Sequence, residues 1–307
     1  MDPSSTETPT HRWALPALAA GVISISFAAI FFRKTDPTHP LVAAGVRLAI
    51  ASIFLAPWAW RRWKQGLMEP RVLRYGVWAG LLYGLHFGAW VSSLVMTSVA
   101  ASVTIVTSTP LILAGFALVT GKDRPRTGHW VAMGLALLGL SVIGAADLQA
   151  GDSNLIGDIL AFVGAIAMAG YLLLARSLGP KLDPWAFTGI ATTVGAISLF
   201  VVGAASGIPL EVPTREAWFY LCLAALIPQL VGHTSLTWAL RYMTPTAVGL
   251  ATVGEPVGST FLAWIWLGEG VSPAVFSGCS ITIIAVAIGI VVGGKSATEH
   301  RESPPNK

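Results

Sequence analysis

The sequence predicts an all-α integral membrane protein, in which ten transmembrane helices form two inverted five-helix repeats around a central cavity. Composition is the first reason. Apolar residues make up 54% of the 307 residues, charged residues 11%, and the mean hydropathy is +0.69, whereas soluble domains carry about 25% charged residues. The second reason is that the apolar residues form runs of about 20, the length that crosses the hydrocarbon core of a bilayer. The third is a repeat of sequence landmarks between the two halves.

Ten apolar segments can be marked, and their length favours helices over the short alternating strands of a barrel. They lie near residues 13–32, 40–60, 72–94, 99–119, 128–146, 155–175, 184–206, 216–238, 246–267 and 273–293. The first repeat is expected over 13–146 and the second over 155–293. A linker at 147–154 joins them, and polar tails are expected at 1–12 and 294–307.

The repeat is visible in matching positions of the two halves. Gly21 in the first span matches Gly164 in the sixth, slightly less than half the chain later. The Thr109–Pro110 step in the fourth span matches Glu255–Pro256 in the ninth. A five-span unit begins on one side of the membrane and ends on the other, so its second copy is inserted upside down. Such inverted repeats are typical of transporters that expose one site to each side in turn.

The basic residues predict the orientation of the chain. If the N-terminus is cytoplasmic, most of the 19 lysine and arginine residues lie in cytoplasmic segments, and only Arg33, Lys34 and Arg215 lie in outer loops. This bias predicts cytoplasmic termini and a multi-pass protein of the plasma membrane, a bacterial inner membrane. The basic residues are scattered over short loops, so a nucleic-acid partner is not expected. The bilayer and a small-molecule substrate are the expected partners. One chain holds both repeats, which makes a monomer sufficient and leaves a dimer open.

Polar and aromatic residues at helical spacing predict the lining of the cavity. In the third span, Tyr83, His86 and Trp90 share one face, which suits either a cavity for a small organic solute or an aromatic helix interface. In the eighth span, Gln229 and His233 lie one turn apart. Because polar groups deep in a bilayer are costly, they face a water-filled space or a partner. Hydrogen bonding between helices is the alternative.

Further lining residues are expected on the first, fourth, sixth and ninth spans, and they are Ser24, Phe27, Thr107, Met168, Tyr171 and Thr252. The separation of His86 and His233 is close to that of the repeat, so these two residues are expected to face each other across its axis. Histidine titrates near neutrality, so such a pair can relay protons. No carboxylate in the same spans accompanies it, which argues against that role.

Two proline steps predict bending points in the fourth and ninth spans. Pro110 and Pro256 each remove a backbone hydrogen bond, and neighbouring hydroxyls can satisfy the freed carbonyls. Hinges are the favoured interpretation and static kinks the alternative. Glu255 is the only acidic residue near the middle of a span. It is interpreted as a site for a cationic part of the substrate, as a proton-coupling site, or as a structural carboxyl bonded to backbone freed by Pro256.

Two other features of the spans are interpreted as structural. Gly76, Gly80, Gly84 and Gly88 recur every four residues in the third span and predict close packing against a neighbouring helix. Arg47 is the only basic residue near the middle of a span and is expected to pair with a helix C-terminus or a carboxylate.

The sequence predicts no cofactor, no metal site and no enzymatic activity. Cys222 and Cys279 both fall inside spans, so neither a disulfide nor a metal site is indicated. An intramembrane enzyme would need clustered acid/base or metal-binding groups, and a channel is a further alternative. Without a phosphate-binding glycine loop, direct use of ATP is not expected. That leaves facilitated diffusion or proton exchange as the energy source.

The second repeat carries a motif that resembles a known family. Gly254-Glu255-Pro256-Val257, followed by Leu267-Gly268-Glu269, is similar to the motif of EamA-type transporters of the drug/metabolite transporter superfamily. The two five-span repeats and the prolines of spans four and nine extend the resemblance over about residues 13–293. The first repeat departs from it, since Thr120-Gly121-Lys122-Asp123 stands where the family often has Leu-Gly-Glu.

The resemblance implies a fold and a function. A central cavity is expected between spans 1, 3, 4, 6, 8 and 9, with spans 5 and 10 at the periphery. The expected function is secondary export of amino acids, including aromatic ones, or of similar small metabolites by alternating access. Length, aromatic content and the basic 61–74 loop are most similar to the YddG-like amino-acid exporters. Efflux of lipophilic drugs or cations is the alternative. Anionic sugar phosphates or nucleotide sugars would need more buried basic residues than Arg47 alone.

Overall fold

A computed structural model describes residues 13–302, except 98, 122, 124, 126, 149–153 and 269. Within these residues the chain is helical, without a strand. The helices are α1 (Ala14–Arg33), α2 (Pro40–Lys64), α3 (Pro70–Met96), α4 (99–120), α5 (Thr127–Leu148), α6 (Leu155–Arg176), α7 (Pro184–Ala205), α8 (Arg215–Ala239), α9 (245–267) and α10 (Pro273–Glu302).

Nine of these helices are long and apolar enough to cross a membrane, judged on the described residues. The apolar part of α10, Pro273–Gly289, is somewhat shorter. Its helix continues to Glu302, so the polar tail expected from residue 294 begins as helix instead. Large apolar side chains cover the outside of the bundle, as at Ile53 and Phe54, which are 69% and 58% exposed. An apolar exterior of this kind fits lipid contact rather than water.

Contacts between the helices relate the two halves to each other. α2 packs on α7, α4 on α9 and α5 on α10, so each of these helices touches its own counterpart. α3 packs on α6, and α1 packs on α8. Since α1 corresponds to α6 and α3 to α8, these two contacts are the same contact repeated in the two halves. Gly21 of α1 approaches the backbone of Gly232 in α8, and Gly164 of α6 approaches the backbone of His86 in α3. The predicted fold of two five-helix repeats is confirmed.

Among the described residues, α1, α4 and α9 are each interrupted by one or two residues that are not helical. α4 is divided into Val99–Val106 and Thr109–Thr120, and α9 into Pro245–Thr252 and Glu255–Leu267. α1 is divided at Phe27, which separates Ala14–Ser26 from Ala28–Arg33.

The interruption of α4 follows from the chemistry of proline. Pro110 has no N–H to give to the carbonyl of Val106, four residues earlier. The hydroxyl of Thr109 donates to that carbonyl instead, at 2.9 Å. Before the proline the chain tightens, and the Ser108 N–H donates to the Ile105 carbonyl at 3.0 Å. The predicted bend and its satisfaction by a hydroxyl are therefore both present in α4.

The interruption of α1 occurs without a proline. At this point the second segment of α9 packs against α1. Ser259 donates a hydrogen bond to the carbonyl of Ser26 at 3.0 Å. Gly258 faces the side chain of Ser26 so closely that an added Cβ would lie 2.6 Å from the Ser26 Cβ. We call these residues, Ser26, Phe27, Gly258 and Ser259, the α1–α9 seam.

The glycines of α3 face α7, which confirms the packing interpretation. A Cβ added at Gly80 would lie 2.6 Å from the Val194 Cβ and 3.0 Å from the Ala191 carbonyl oxygen. One added at Gly84 would lie 3.1 Å from the carbonyl oxygen of Gly195. Small residues on both helices thus allow their backbones to approach closely.

We expect Gly80→Val to destabilise the folded protein by about 1–3 kcal/mol, because the added side chain overpacks the contact between α3 and α7. The measurement is the thermal unfolding midpoint of the purified protein in detergent. Gly134→Val is the matched control, since Gly134 also lies inside a membrane helix but has no neighbouring atom within 4 Å of an added Cβ. An equal loss in both variants would show that helix propensity, and not packing, is responsible.

Candidate functional site

A small cavity lies at the centre of the bundle, where the interrupted helices meet. Its volume is about 40 Å³, on a scale where one water molecule needs about 10–15 Å³. It is lined by α1, α3, α4, α6, α8 and α9, the same six helices that the family resemblance implies. α5 and α10 pack on each other away from it. A solute the size of an amino acid fits only if these helices move apart.

The cavity wall contains many of the residues suggested by the sequence. The predicted residues found there are His86, Trp90, Thr107, Met168, Tyr171, His233, Thr252 and Glu255. They come from five different helices. The helical faces inferred from spacing therefore point toward one common space.

Four predicted lining residues lie outside the wall. Tyr83 and Gln229 are fully buried behind it, where the Gln229 side-chain amide donates to the Tyr83 hydroxyl at 2.8 Å. Ser24 is buried within α1. Phe27 lies at the interruption of α1, where its ring centre is 5.7 Å from that of Phe31 and 6.4 Å from that of Trp266. Tyr83 and Gln229 thus cover each other across α3 and α8, and Phe27 packs against Trp266 of α9.

The two histidines of the wall lie close together. Their ring centres are 6.5 Å apart, with the planes at 69°. His86 Nδ1 lies 2.9 Å from the Gly164 carbonyl oxygen. Since a carbonyl only accepts, this nitrogen carries the proton, and Nε2 of the neutral ring is an acceptor. The contact to Gly164 fixes the orientation of His86 from α6.

An aromatic stack supports the wall on the side of α6. The rings of Tyr83 and Tyr171 are nearly parallel, with centres 4.4 Å apart. The Tyr171 hydroxyl is hydrogen-bonded to the Thr237 hydroxyl of α8 at 2.8 Å. The wall thus combines aliphatic side chains and two aromatic rings with a few polar groups, the composition expected of a site for a small organic molecule.

The middle of α8 is wound as a π-helix over Ala225–His233, with Pro228 inside it. Gln229 and His233 lie four residues apart in this segment, and both contact Tyr83: Gln229 donates to its hydroxyl, and the His233 ring centre lies 5.8 Å from that of Tyr83. Gln229 points to Tyr83, whereas His233 lines the cavity. π-helical segments are rare and occur often at functional sites.

Glu255 occupies the start of the second segment of α9. It is 8% exposed and belongs to the cavity wall. No described residue donates a hydrogen bond to its carboxylate, so the structural carboxyl bonded to backbone near Pro256 is not observed. Among the described wall residues it is the only acid. Its counterpart Thr109 starts the second segment of α4 and also lines the cavity, but the Thr109 hydroxyl is already used within α4.

Some wall residues were missed by the sequence reasoning, namely Ile25, Val106, Thr109, Leu172, Leu236, Thr237 and Val248. Two signals pointed to polar members of this set. Thr109 matches Glu255 in the repeat, and Thr237 follows His233 by one turn. The apolar members carry no signal that distinguishes them from core residues. Pro110 and Pro256 lie at the second position of their segments, one residue beyond the wall.

The two ends of the bundle carry different contacts, and the ion-paired residues of one end also line two cavities of about 430 and 760 Å³. At the end where α2 and α6 finish, ion pairs join the loops: Arg62–Asp183 at 3.0 Å, Lys181–Glu69 at 3.0 Å and Arg176–Asp123 at 3.1 Å. Exposed pairs of this kind are individually weak. At the opposite end the α1–α9 seam closes the bundle, with Phe31 and Trp266 in edge contact at 6.0 Å. Among the described residues, neither the ion pairs nor the α1–α9 seam includes a disulfide bond.

The described residues contain no group of three histidine, cysteine or acidic side chains that could hold a metal ion. His86, His233 and Glu255 share one wall but come from three helices. The wall offers hydrogen-bond acceptors, aromatic faces and one carboxylate. These groups can bind a small solute, and they do not form an acid/base pair around a reacting bond.

Fold and composition define a multi-pass membrane protein with a central cavity. The chain matches the EamA-like transporter family over residues 12–145 and again over 155–291. It belongs to this family, within the drug/metabolite transporter superfamily, whose members are transporters and not enzymes.

Individual relatives support transport without naming a substrate. An uncharacterized transporter of Bacillus subtilis, YetK, is 24% identical over 236 residues, 74% of this chain and 64% of the relative. A second from that organism, YwfM, is 23% identical over 181 residues, 59% of this chain and 60% of the relative. An uncharacterized transporter of Archaeoglobus fulgidus is 25% identical over 193 residues, 62% of this chain and 66% of the relative. The matches thus span less than two thirds of these relatives.

A solved crystal structure has the same fold. It superimposes with a TM-score of 0.73 at 15% sequence identity, and the match covers 92% of this chain and 99% of the other. At this identity the likeness concerns the fold alone.

Proposed function

We propose that this protein is a secondary exporter of amino acids, including aromatic ones, and that it works by alternating access. The observation that carries the proposal is the position of Glu255, a carboxylate without a described partner in a mid-membrane wall that also contains Trp90, Tyr171 and two histidines. An ammonium group is the natural partner of such a carboxylate. Trp90, Tyr171 and the two histidines would then surround the side chain of the solute.

The position of Glu255 at a broken helix supports a binding role. In many transporters, substrate and ion sites lie at the bilayer midplane, where discontinuous helices expose their ends. Glu255 and Thr109 begin the second segments of α9 and α4, and both face the cavity. The proposed binding site is completed by other predicted residues of the cavity wall, namely His86, Thr107, Met168, His233 and Thr252.

The two closures support alternating access. In the proposed orientation both termini are cytoplasmic, so the loop ion pairs form the inner closure and the α1–α9 seam forms the outer one. The interruptions in α1, α4 and α9 provide points at which segments pivot, as proposed for Pro110 and Pro256. Both repeats lie in one chain, so a monomer is sufficient for this cycle in the bacterial inner membrane.

A second candidate is efflux of lipophilic cations. The same observation favours it, because a carboxylate in one wall with Trp90 and Tyr171 also suits a flat organic cation. The two candidate substrates differ in one respect: an amino acid carries a carboxylate that the site can bind, and a lipophilic cation does not.

The test is solute counterflow into proteoliposomes loaded with unlabelled solute. We expect exchange of labelled phenylalanine and of other neutral amino acids, with aromatic ones preferred, and no exchange of a nucleobase. Exchange of a lipophilic dye cation without any amino acid would replace the first candidate by the second. If neither class exchanges in liposomes that contain correctly folded protein, both candidates fail. Running the panel with and without a pH gradient separates proton exchange from facilitated diffusion.

A further inference from the structure

Arg47 is the largest fully buried side chain of the described protein. It lies in the first half of α2, and its side chain is 0% exposed. None of its guanidinium nitrogens has a hydrogen-bond acceptor among the described residues. The sequence suggested a helix C-terminus or a carboxylate as its partner, and neither is in contact. A buried group left without partners calls for an explanation, and inside a membrane a functional one is the default.

Aromatic rings surround the guanidinium. Its central carbon lies 4.2 Å from the ring centre of Phe87 and 5.4 Å from that of Phe32. Such contacts attract a cation to the ring face, but they satisfy none of its N–H groups. The rings therefore hold Arg47 in place and leave its hydrogen bonds available to another partner.

One layer of rings separates Arg47 from the cavity. Phe87 lies against Arg47 and also has its ring centre 5.2 Å from His233 of the wall. Trp90, another wall residue, is 5.8 Å from Phe32 and 6.2 Å from Phe87. We call Phe32, Phe87 and Trp90 the ring layer. The indole N–H of Trp90 is buried and has no described acceptor either.

Unsatisfied N–H donors and the Glu255 carboxylate lie on different helices around the cavity. Arg47 and the Trp90 indole offer N–H donors on α2 and α3, whereas Glu255 offers a carboxylate on α9. Guanidinium groups bind carboxylates with two parallel hydrogen bonds. A ligand with a carboxylate at one end and an ammonium at the other would satisfy both sides at once.

We propose that Arg47 binds the carboxylate of the transported solute when the ring layer parts, with the ammonium of the same solute on Glu255. The site is therefore built for a zwitterion, and the inference rests on the proposed transport of amino acids. Phe32 belongs to the second segment of α1, beyond the interruption at Phe27. A pivot of this segment at the α1–α9 seam removes Phe32 from the layer and opens Arg47 toward the cavity.

The first test uses the wild-type protein and three competitors with the same ring. Phenylalanine carries both charges, phenethylamine lacks the carboxylate, and 3-phenylpropionate lacks the ammonium. Each is titrated against counterflow of labelled phenylalanine. We expect phenylalanine to compete at a concentration at least about tenfold lower than phenethylamine does. The reason is that phenethylamine cannot make the charge-assisted hydrogen bond of the carboxylate. Equal competition by phenethylamine would overturn the role of Arg47, because the carboxylate would then contribute nothing.

The second test uses Arg47→Gln and Arg47→Lys, with Arg33→Gln as the control at an exposed arginine. We expect Arg47→Gln to weaken competition by phenylalanine about tenfold and to change competition by phenethylamine less than about twofold. Arg47→Lys keeps the charge, so we expect it to weaken competition by phenylalanine less than Arg47→Gln does. Equal weakening of both ligands would assign Arg47 a structural role and refute the inference, while amino-acid transport by the wild type would stand. Failure of the wild type to recognise any competitor would refute the proposed function together with the inference. A misfolded Arg47→Gln leaves the competitor test on the wild type to decide.

Discussion

The Glu255→Gln variant is expected to need an at least about 30-fold higher substrate concentration for amino-acid counterflow. The reason is that removing one partner of a buried charge pair, here Glu255 and the substrate ammonium, costs about 2–5 kcal/mol. The glutamine keeps the size of the side chain and removes its charge. Glu255 accepts no described hydrogen bond, so the protein itself loses little when the charge is removed. The measurement is the apparent affinity for phenylalanine in proteoliposomes, at equal amounts of folded protein.

The matched control for this prediction is Glu216→Gln. Glu216 is an exposed acid in the first turn of α8 and does not belong to the cavity wall. We expect its counterflow to equal that of the wild type. If Glu255→Gln also retains wild-type affinity but loses the response to a pH gradient, Glu255 is a proton-coupling site and not the ammonium site. Retention of both affinity and response would remove Glu255 from the binding site altogether.

A valine at position 258 is expected to abolish most transport while the protein still inserts. An added Cβ at Gly258 collides with the side chain of Ser26, so the seam closes only if α1 or α9 shifts. The neighbouring hydrogen bond from Ser259 to the Ser26 carbonyl then lengthens or breaks. A carrier that cannot close one end does not complete alternating access. Counterflow measures the loss, and size-exclusion chromatography in detergent shows whether the variant is folded.

The control is Gly115→Val, in the second segment of α4, where an added Cβ meets no atom within 4 Å. It is expected to transport normally. A complementary measurement places a cysteine at Thr252 in a background without Cys222 and Cys279, and labels it with a membrane-impermeant thiol reagent. We expect Gly258→Val to increase labelling from one side of the membrane only. Normal transport by Gly258→Val would mean that the seam does not open and close during the cycle.

The membrane helices were predictable because one physical quantity determines them. A run of apolar residues long enough to cross the bilayer has no stable alternative to a helix, so span 40–60 was recovered as Pro40–Lys64 and span 184–206 as Pro184–Ala205. The interruptions of α4 and α9 were predictable for a similar reason, since Pro110 and Pro256 each lack an N–H.

Other features depend on contacts that one sequence does not display. The interruption at Phe27 has no proline, and it coincides with contacts from Gly258 and Ser259, far along the chain. Gln229 in the π-helical segment of α8 is buried against Tyr83 of α3, which places it behind the wall. Helical spacing correctly grouped Tyr83 with His86, but it does not reveal which neighbour covers a given side chain. Tyr83 was therefore assigned to the wall that it supports from behind.

The pairing of the helices has a consequence for how such a chain arose. α2, α4 and α5 rest on their counterparts α7, α9 and α10, while α3 and α1 rest on α6 and α8. The main contacts of each half therefore lie in the other half, and half of the chain alone would expose them to lipid. A five-helix ancestor would have met this need by assembling two identical copies inserted in opposite directions. Once the copies were fused, each could mutate separately. A threonine and a glutamate therefore occupy corresponding positions in the wall of the central cavity.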